Sequence, residues 1–510
     1  MARTEKVFRA TALVTVVIIF SKLCGFARDM ITASYFGTGL ENEAYVASYS
    51  LFYLPILLFN SCITSTLIPL FMQSHKRHGA KAASAFGSNA LNIFGVASIV
   101  VAALLYALAK PLVHIVFPGF DAQAIELTAK LTRIMMLSLG FNVISIVLSS
   151  LLNAREKYVA AQLTGFPLSF SVIIAAVFFS KRYGIDAIAW GVFASGILQV
   201  LIQLPFFRGW FKYTPRIDFS DPLFQRLLVL AVPAILSMAV SELNHMIDSF
   251  FASQFETGSL SALNYAFRLI TFVSGVLVVP ITTVMFSKVS KLVVVDDRAG
   301  IVAIINRSIE VISLIVVPIT AISIVMSRDI VRFAYGRGQF DESSVAITAG
   351  AFLYFVVGVL AFGLRDLLSR AFHSMQDTKT PFRVTLIALG LNTVLDLALG
   401  RLMGVRGLAL ATSIVGAVSM TTMFVLFRKR MGMFGFKSTA VDLGKIFIAG
   451  AASALVCFLM NRWLPEMRGT LRVFLRLAAV TITSGLAYLL VLLALREQQI
   501  LAFVTGEERK

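Results

Sequence analysis

Charge is scarce in this chain. Only 14% of its 510 residues are Asp, Glu, Lys or Arg, against about a quarter in an ordinary soluble domain. With 58% hydrophobic residues and a mean hydropathy of +0.85, that shortage excludes a water-soluble globular fold. It points to an all-α polytopic membrane protein. Histidine is rare, at five residues, and no GxSxG, HExxH or Walker-type loop occurs, so an enzyme is not expected. Cysteine is rarer still. Cys24, Cys62 and Cys457 each sit in an apolar run without metal-ligand spacing, which excludes a disulfide framework and leaves small buried hydrophobes. The apolar run near the N-terminus is followed by no small-residue cleavage site, so it reads as a retained first helix.

One sign of charge is in excess, with a net +18. In an apolar chain this reflects cytoplasmic loops facing anionic headgroups, and nucleic acid is not an expected partner. A helix needs about 20 apolar residues to cross the hydrocarbon. Fourteen such segments occur, near 9–36, 43–72, 89–116, 130–152, 159–180, 184–206, 226–253, 262–287, 303–326, 346–370, 383–400, 405–427, 443–461 and 473–495. With a cytoplasmic N-terminus, the even-numbered connections hold most of the basic residues, among them "QSHKRHGAK", "DTKTPFR" and "FRKRMGMFGFK". Both termini are therefore expected on the cytoplasmic side of the membrane. One outer connection, "SRDIVRFAYGRGQFDESS", is long and basic for that side, and its "GRGQF" reads as an ordinary turn.

A repeat lies beneath this pattern. "ASYFGTG" (33–39) closes the first helix and "ASQFETG" (252–258) the seventh. "LSSLLNA" (148–154) ends the fourth helix and "LRDLLSR" (364–370) the tenth, at nearly the same offset. Two six-helix lobes are expected, 1–210 and 211–430, with 431–510 as two added helices. Paired parallel lobes with a site between them are an established transporter plan.

Charges inside the spans are the candidate functional groups, because each costs roughly 2.5–3.5 kcal/mol at a helix centre on insertion scales. "SKLCGFARDM" places Lys22, Arg28 and Asp29 in the first helix. If that helix breaks at Gly25, the restarted half aims its amides at an anion, to which Arg28 adds a planar fork. The alternatives are that Arg28 pairs with Asp29 or reaches the headgroups; neighbouring helix positions do not face each other, which argues against the pair. Arg268, in "LNYAFRLITF", is a second candidate for an anion. Arg365 and Asp366 suit an exposed or paired role as well as a substrate contact, and Glu242 and His245 are weaker candidates for titration. Asn392 and Asp396, four apart on one helix face, form an oxygen-rich set with Asp248 and Thr412. Such oxygens suit a hard cation, a proton relay or a structural network.

In "GFARD" with its "ASYFGTG" tail, "NYAFRL" followed by "SGVL", and "SMQDTKTP", the chain resembles the MurJ/MviN lipid II flippases of the MOP superfamily over essentially its whole length. The resemblance implies two lobes in a V around a cationic cavity, alternating access, and a groove beside the last two helices for a lipid tail. It implies a monomer that moves an undecaprenyl-diphosphate-linked peptidoglycan precursor outward, driven by membrane potential or sodium, with membrane lipids as its other partners and no cofactor. Another undecaprenyl-linked oligosaccharide is the alternative substrate. By the same resemblance Arg28, Asp29, Arg268, Lys22 and Glu43 match substrate-site positions. Asp248, Asn392, Asp396 and Thr412, with the carbonyl of Leu408, match a sodium site. The family's helix 2 arginine is missing: residues 56–60 read "ILLFN", with Asn60 the only polar side chain.

The orientation makes a prediction. Cysteines introduced at 37–42 should label from outside with an impermeant thiol reagent, and cysteines at 76–81 should not; the reverse pattern would invert the topology and the direction of transport.

Overall fold

The computed structural model describes residues 2–432, 436–464 and 469–496, and all regular structure among them is helical. The end of the expected 431–510 region lies outside the described residues. By packing, the chain divides into a first unit that runs to Ser261 and includes Gly338–Phe340, and a second unit holding the rest.

The first unit contains α1 (Ala2–Phe36), α2 (Leu40–Ala107), α3 (Ala109–Val116), α4 (Ala122–Met136), α5 (Leu139–Ala154), α6 (Tyr158–Gln162), α7 (Gly165–Ile174), α8 (Ser180–Tyr183), α9 (Asp186–Gln203) and α10 (Pro222–Ala252). At 68 residues, α2 would measure about 100 Å at 1.5 Å per residue, more than three hydrocarbon thicknesses. It is two helices joined at Gly79, whose φ of 80° and ψ of 179° are not helical. A Cβ there would meet nothing within 4 Å, so the glycine serves the backbone and not the packing. The basic stretch "QSHKRHGAK" surrounds this break. Helices α4, α5 and α10 pack on α2, while α1 packs on α7.

Polar side chains knit these helices at a few points. Ser48 on α2 donates to the Thr128 carbonyl on α4 (2.9 Å). Gln203 on α9 donates to Ser145 (2.6 Å) and accepts from Ser149 (3.1 Å), both on α5. The extended connector before α10 is held by Asn89, which receives the Asp218 amide at 2.7 Å and donates to its carbonyl at 2.8 Å. Ser61 on α2 donates to the Ala234 carbonyl (3.0 Å), fixing α10 to the first unit. The packing units thus divide after α10, whereas the repeat places its boundary at 210/211.

The second unit contains α11 (Ser259–Val294), α12 (Arg298–Val325), α13 (Ser327–Tyr335), α14 (Glu342–Ser374), α15 (Lys379–Met403), α16 (Val405–Met431), α17 (Phe436–Trp463) and α18 (Thr470–Ala494), with the first residues of α11 belonging to the first unit. Helix α14 packs on α16 and α12, and α17 packs between α12 and α18. Val317, Ile446, Ala449, Tyr488 and Leu492 form one buried cluster at the α12–α17–α18 contact, and Ile322, Met326, Cys457 and Val480 form a second.

Among the described residues, eleven helical stretches are long and apolar enough to cross a membrane, or twelve if α4 and α5, bent by 44°, make one span. This is a multi-pass membrane protein. Each of the fourteen expected segments overlaps a described helix, and the numbers differ partly because α2 carries the second segment and most of the third.

The long basic connection expected on the outer side contains α13, and the charges of that helix are matched. Asp329 is buried and accepts from Arg476 of α18 at 3.0 Å. Arg476, itself buried, also donates to the side chain (2.6 Å) and backbone (3.2 Å) of Asn461 on α17. Arg332 and Arg328 both donate to Glu342. The turn at "GRGQF" proves to be a docking point. Gln339 donates to the Ser34 carbonyl at 2.8 Å, and a Cβ on Gly338 (φ +59°) would lie 2.2 Å from that oxygen. Only glycine permits this backbone-to-backbone approach.

Removing one partner of a buried ion pair strands the other. Asp329→Ala should therefore lose about 3–5 kcal/mol, read as a fall in unfolding temperature in detergent. Glu342→Ala, at an exposed pair, should change it by less than about 1 kcal/mol.

Candidate substrate and cation sites

Helix α1 brings Arg28 and Asp29 to one place by a route that periodicity argued against. Both Nε (3.0 Å) and Nη2 (2.9 Å) of Arg28 donate to the same oxygen, Oδ1 of Asp29. Neighbouring Cβ atoms on a helix diverge, but the arginine stem is long enough to fold its fork back. The local pair is what forms. The expected break at Gly25 does not: α1 runs unbroken through it, since one glycine costs a helix only about 1 kcal/mol relative to alanine. The half-helix anion site therefore falls away.

What remains is a guanidinium 8% exposed, with two of its nitrogens on one carboxylate oxygen. Charge balance stabilises the group in the span, and the remaining donors keep it able to take a second anion. The phenols of Tyr45 and Tyr49 lie within electrostatic reach of it. Lys22 is exposed.

Glu43 is placed differently from a ligand contact. It is buried, and its two oxygens accept the Gly258 and Leu260 amides at 2.9 Å each, at the turn entering α11. Beside it, Asn42 donates to Ser261 Oγ (3.0 Å). A carboxylate on the free amides of a helix start is a stable arrangement, and here it frames the site region. Asn60 is exposed, and its carbonyl accepts from Thr64.

The second unit holds Arg268, half-buried, with Nε on Asn264 Oδ1 one turn earlier (2.9 Å). Arg365 is exposed, while Asp366 accepts from Arg370 (3.0 Å) and Thr282 (3.3 Å), a local pairing. Asn392 and Asp396 are both fully buried, and the amide donates to Asp396 Oδ2 at 2.6 Å. Thr412 donates to the Leu408 carbonyl at 3.0 Å. These four residues lie on α15 and α16, which pack together. Asp248 is buried on α10, in the first unit. Among the described residues no group of three or more His, Cys, Asp or Glu side chains is placed to hold a metal, so a cation on α15 and α16 would depend on neutral oxygens.

Two groups escaped the sequence reading. Tyr45, Tyr49 and Tyr53 form a ladder on α2, with centroids 6.0 Å and then 5.6 Å apart, the second pair stacked at 15°. Their spacing of four was the available signal. Arg428, buried on α16, lies against two adjoining rings, Phe424 (4.9 Å) and Phe436 (4.7 Å), and donates to Asn306; nothing local in the sequence announces that contact. In "SMQDTKTP", burial pushes the Asp377 carboxyl up, but bonds from the Thr380 amide and hydroxyl, with Arg430 beside it, outweigh this and hold it below the usual range.

Apolar helical spans with buried charges at a few positions define, among the described residues, a polytopic membrane protein, and its fold neighbours include transporters of the MOP superfamily. In fold it is similar to an inward-facing multidrug-resistance MATE transporter of that superfamily, with a TM-score of 0.72 and 14% identity over 83% of this chain and 98% of the other. It is more similar to a structure described as lipid II flippase MurJ in an inward closed conformation, with a TM-score of 0.80 and 25% identity over 94% of this chain and 98% of that one. Sequence relatives agree. A protein of Rhizobium tropici described as a probable lipid II flippase MurJ is 27% identical over 95% of this chain and 92% of its own length. The lipid II flippase MurJ of Burkholderia cenocepacia is 26% identical over 89% and 90%. The pattern of the family described as lipid II flippase MurJ matches residues 32–479, and the chain belongs to that family. The match begins just beyond Lys22, Arg28 and Asp29.

If Glu43 serves the frame, Glu43→Gln should cost about 1–3 kcal/mol of stability, since an amide side chain offers one acceptor oxygen where two are used. Thermal unfolding in detergent measures this; an unchanged midpoint would mean that the carboxylate is not holding the turn.

Proposed function

We propose that this chain translocates lipid II, an undecaprenyl-diphosphate-linked peptidoglycan precursor, from the cytoplasmic to the outer leaflet by alternating access. Family membership carries the reading, and the buried Arg28–Asp29 pair supports it. The guanidinium offers further donors of the planar kind that bind diphosphate oxygens bidentately, and releasing it from Asp29 would strengthen that contact. Arg268 is the corresponding donor of the second half, and Lys22 an outlying charge. The two repeated halves, 1–210 and 211–430, supply the moving lobes. The fourteen segments cross the cytoplasmic membrane of a bacterium, α17 and α18 supply a surface for the lipid tail, and the protein works as a monomer.

Moving an anionic headgroup outward is favoured by an inside-negative potential, at about 2.3 kcal/mol per charge per 100 mV. Sodium is the ion that best fits the α15–α16 set, where Asp396 supplies the carboxylate and Asn392, Thr412 and Leu408 supply neutral oxygens. Asp248 is the second carboxylate proposed for the set. A second reading has its own observation. Because 56–60 carry no arginine, another undecaprenyl-linked oligosaccharide is the alternative cargo.

Reconstituted vesicles with lipid II in one leaflet test the proposal. Arg28→Ala should slow translocation at least about tenfold, the loss expected for a charged hydrogen bond, and Arg28→Lys should restore little, because an ammonium cannot fork. Full activity of Arg28→Ala would remove the assignment. Asp396→Asn should abolish any sodium dependence and leave headgroup binding intact. Transport that follows pH and ignores sodium would make the cluster a proton relay.

A further inference from the structure

Residues 56–60 of helix α2 carry no arginine, and the turns that precede them carry three tyrosines. Tyr45, Tyr49 and Tyr53 recur every four residues, so they lie along one face. Their rings form a continuous series, 6.0 Å between the first pair and 5.6 Å, nearly parallel, between the second; Phe52 meets the middle ring edge-on at 6.1 Å. Exposure rises along the series. Tyr45 is 8% exposed, Tyr49 half-buried and Tyr53 40% exposed. The buried end is the end near Arg28, whose guanidinium has Tyr45 and Tyr49 as electrostatic neighbours. A ladder of phenols therefore leads from the neighbourhood of the candidate diphosphate donor to the partly exposed Tyr53.

A purely apolar seam would not need this composition. Phenol hydroxyls inside a span are costly unless they meet polar partners, and leucine would fill the same face at no such cost. Flat rings with hydroxyl edges suit one ligand chemistry well: a pyranose, whose axial C–H face lies on the ring while its hydroxyls bond at the rim. A sugar linked to a diphosphate carries both features.

We propose that Tyr49 and Tyr53, backed by Tyr45, form a carbohydrate-stacking subsite that takes a pyranose ring of the headgroup whose diphosphate is held at Arg28. This rests on the flippase reading and adds to it: the tyrosines discriminate sugar-bearing lipids from the bare polyprenyl diphosphate. Arginine binds what both lipids share, and the ladder binds what only one possesses.

Two probes separate these contributions: undecaprenyl diphosphate, and the same lipid carrying its disaccharide-peptide headgroup. Their affinities for the full chain in detergent can be measured by thermophoresis. The wild type should prefer the sugar-bearing lipid. Tyr49→Leu and Tyr53→Leu should each lower that preference about three- to tenfold, the worth of one aromatic contact, with undecaprenyl diphosphate binding unchanged. Tyr49→Phe, which keeps the ring, should retain most of it. Arg28→Ala should weaken both lipids together. An unchanged preference in both leucine variants would overturn the subsite, as would equal weakening of both lipids, which marks a packing role. A wild type that binds both without preference also overturns the subsite and leaves the flippase reading standing. If the wild type binds neither, the flippase reading itself fails.

Discussion

A backbone in hydrocarbon must satisfy its own hydrogen bonds, because no water is there to do so. This constraint makes every described regular element helical and sends the remaining difficulty to the helix ends. The ends are where this structure is most specific. Both oxygens of Glu43 sit on the amides of Gly258 and Leu260, Gln339 bonds the Ser34 carbonyl, and Asp121, Asp221, Asp297 and Asp341 each cap the helix that follows. Turns that look interchangeable in sequence are therefore individually fitted.

Charges within the spans obey a related rule. Arg28 is matched by Asp29 and Arg476 by Asp329, while Arg428 has two aromatic faces and one amide oxygen in place of a carboxylate. Rings can stabilise a desolvated guanidinium by about 2 kcal/mol or more. The three solutions differ in consequence. Arg476 is held on both sides by α13 and α17 and acts as a fastener. The hydrogen bonds of Arg28 to a described carboxylate run to its immediate neighbour, through one oxygen, so that partner can be exchanged without unpacking a helix. For a site that must bind and release an anion, exchange at low structural cost is the useful property.

The oxygen-rich set on α15 and α16 belongs between these extremes. Asn392 and Asp396 are sealed from solvent and bonded to each other, so access to them requires motion of packed helices. That suits an element whose occupancy biases one conformational state over another, where a ligand shifts the balance only by its differential affinity.

Much of the fold was legible because membrane spans leave a one-dimensional signal. Apolar runs of sufficient length located the helices, whereas the matched endings of the first and seventh and of the fourth and tenth helices put a boundary at 210/211 and the packing units divide after Ser261. The residues that carry charge into the spans were legible for the same reason: Arg28, Asp29, Asp396 and Asn392 are conspicuous against apolar neighbours. Their partners were not. Helical spacing argued against an Arg28–Asp29 pair, and only the folded-back side chain made it. Nothing in "GRGQF" revealed a docking point, nothing in Glu43 revealed the two amides it receives, and nothing in "SRDIVRF" revealed that α18 would supply the arginine for Asp329. Span length and burial cost are properties of a segment in its solvent, so sequence alone determined which segments are apolar enough to cross and which residues are expensive there. Pairing depends on the meeting of side chains far apart in the chain, at distances of a few ångströms, and only the tertiary structure decided it.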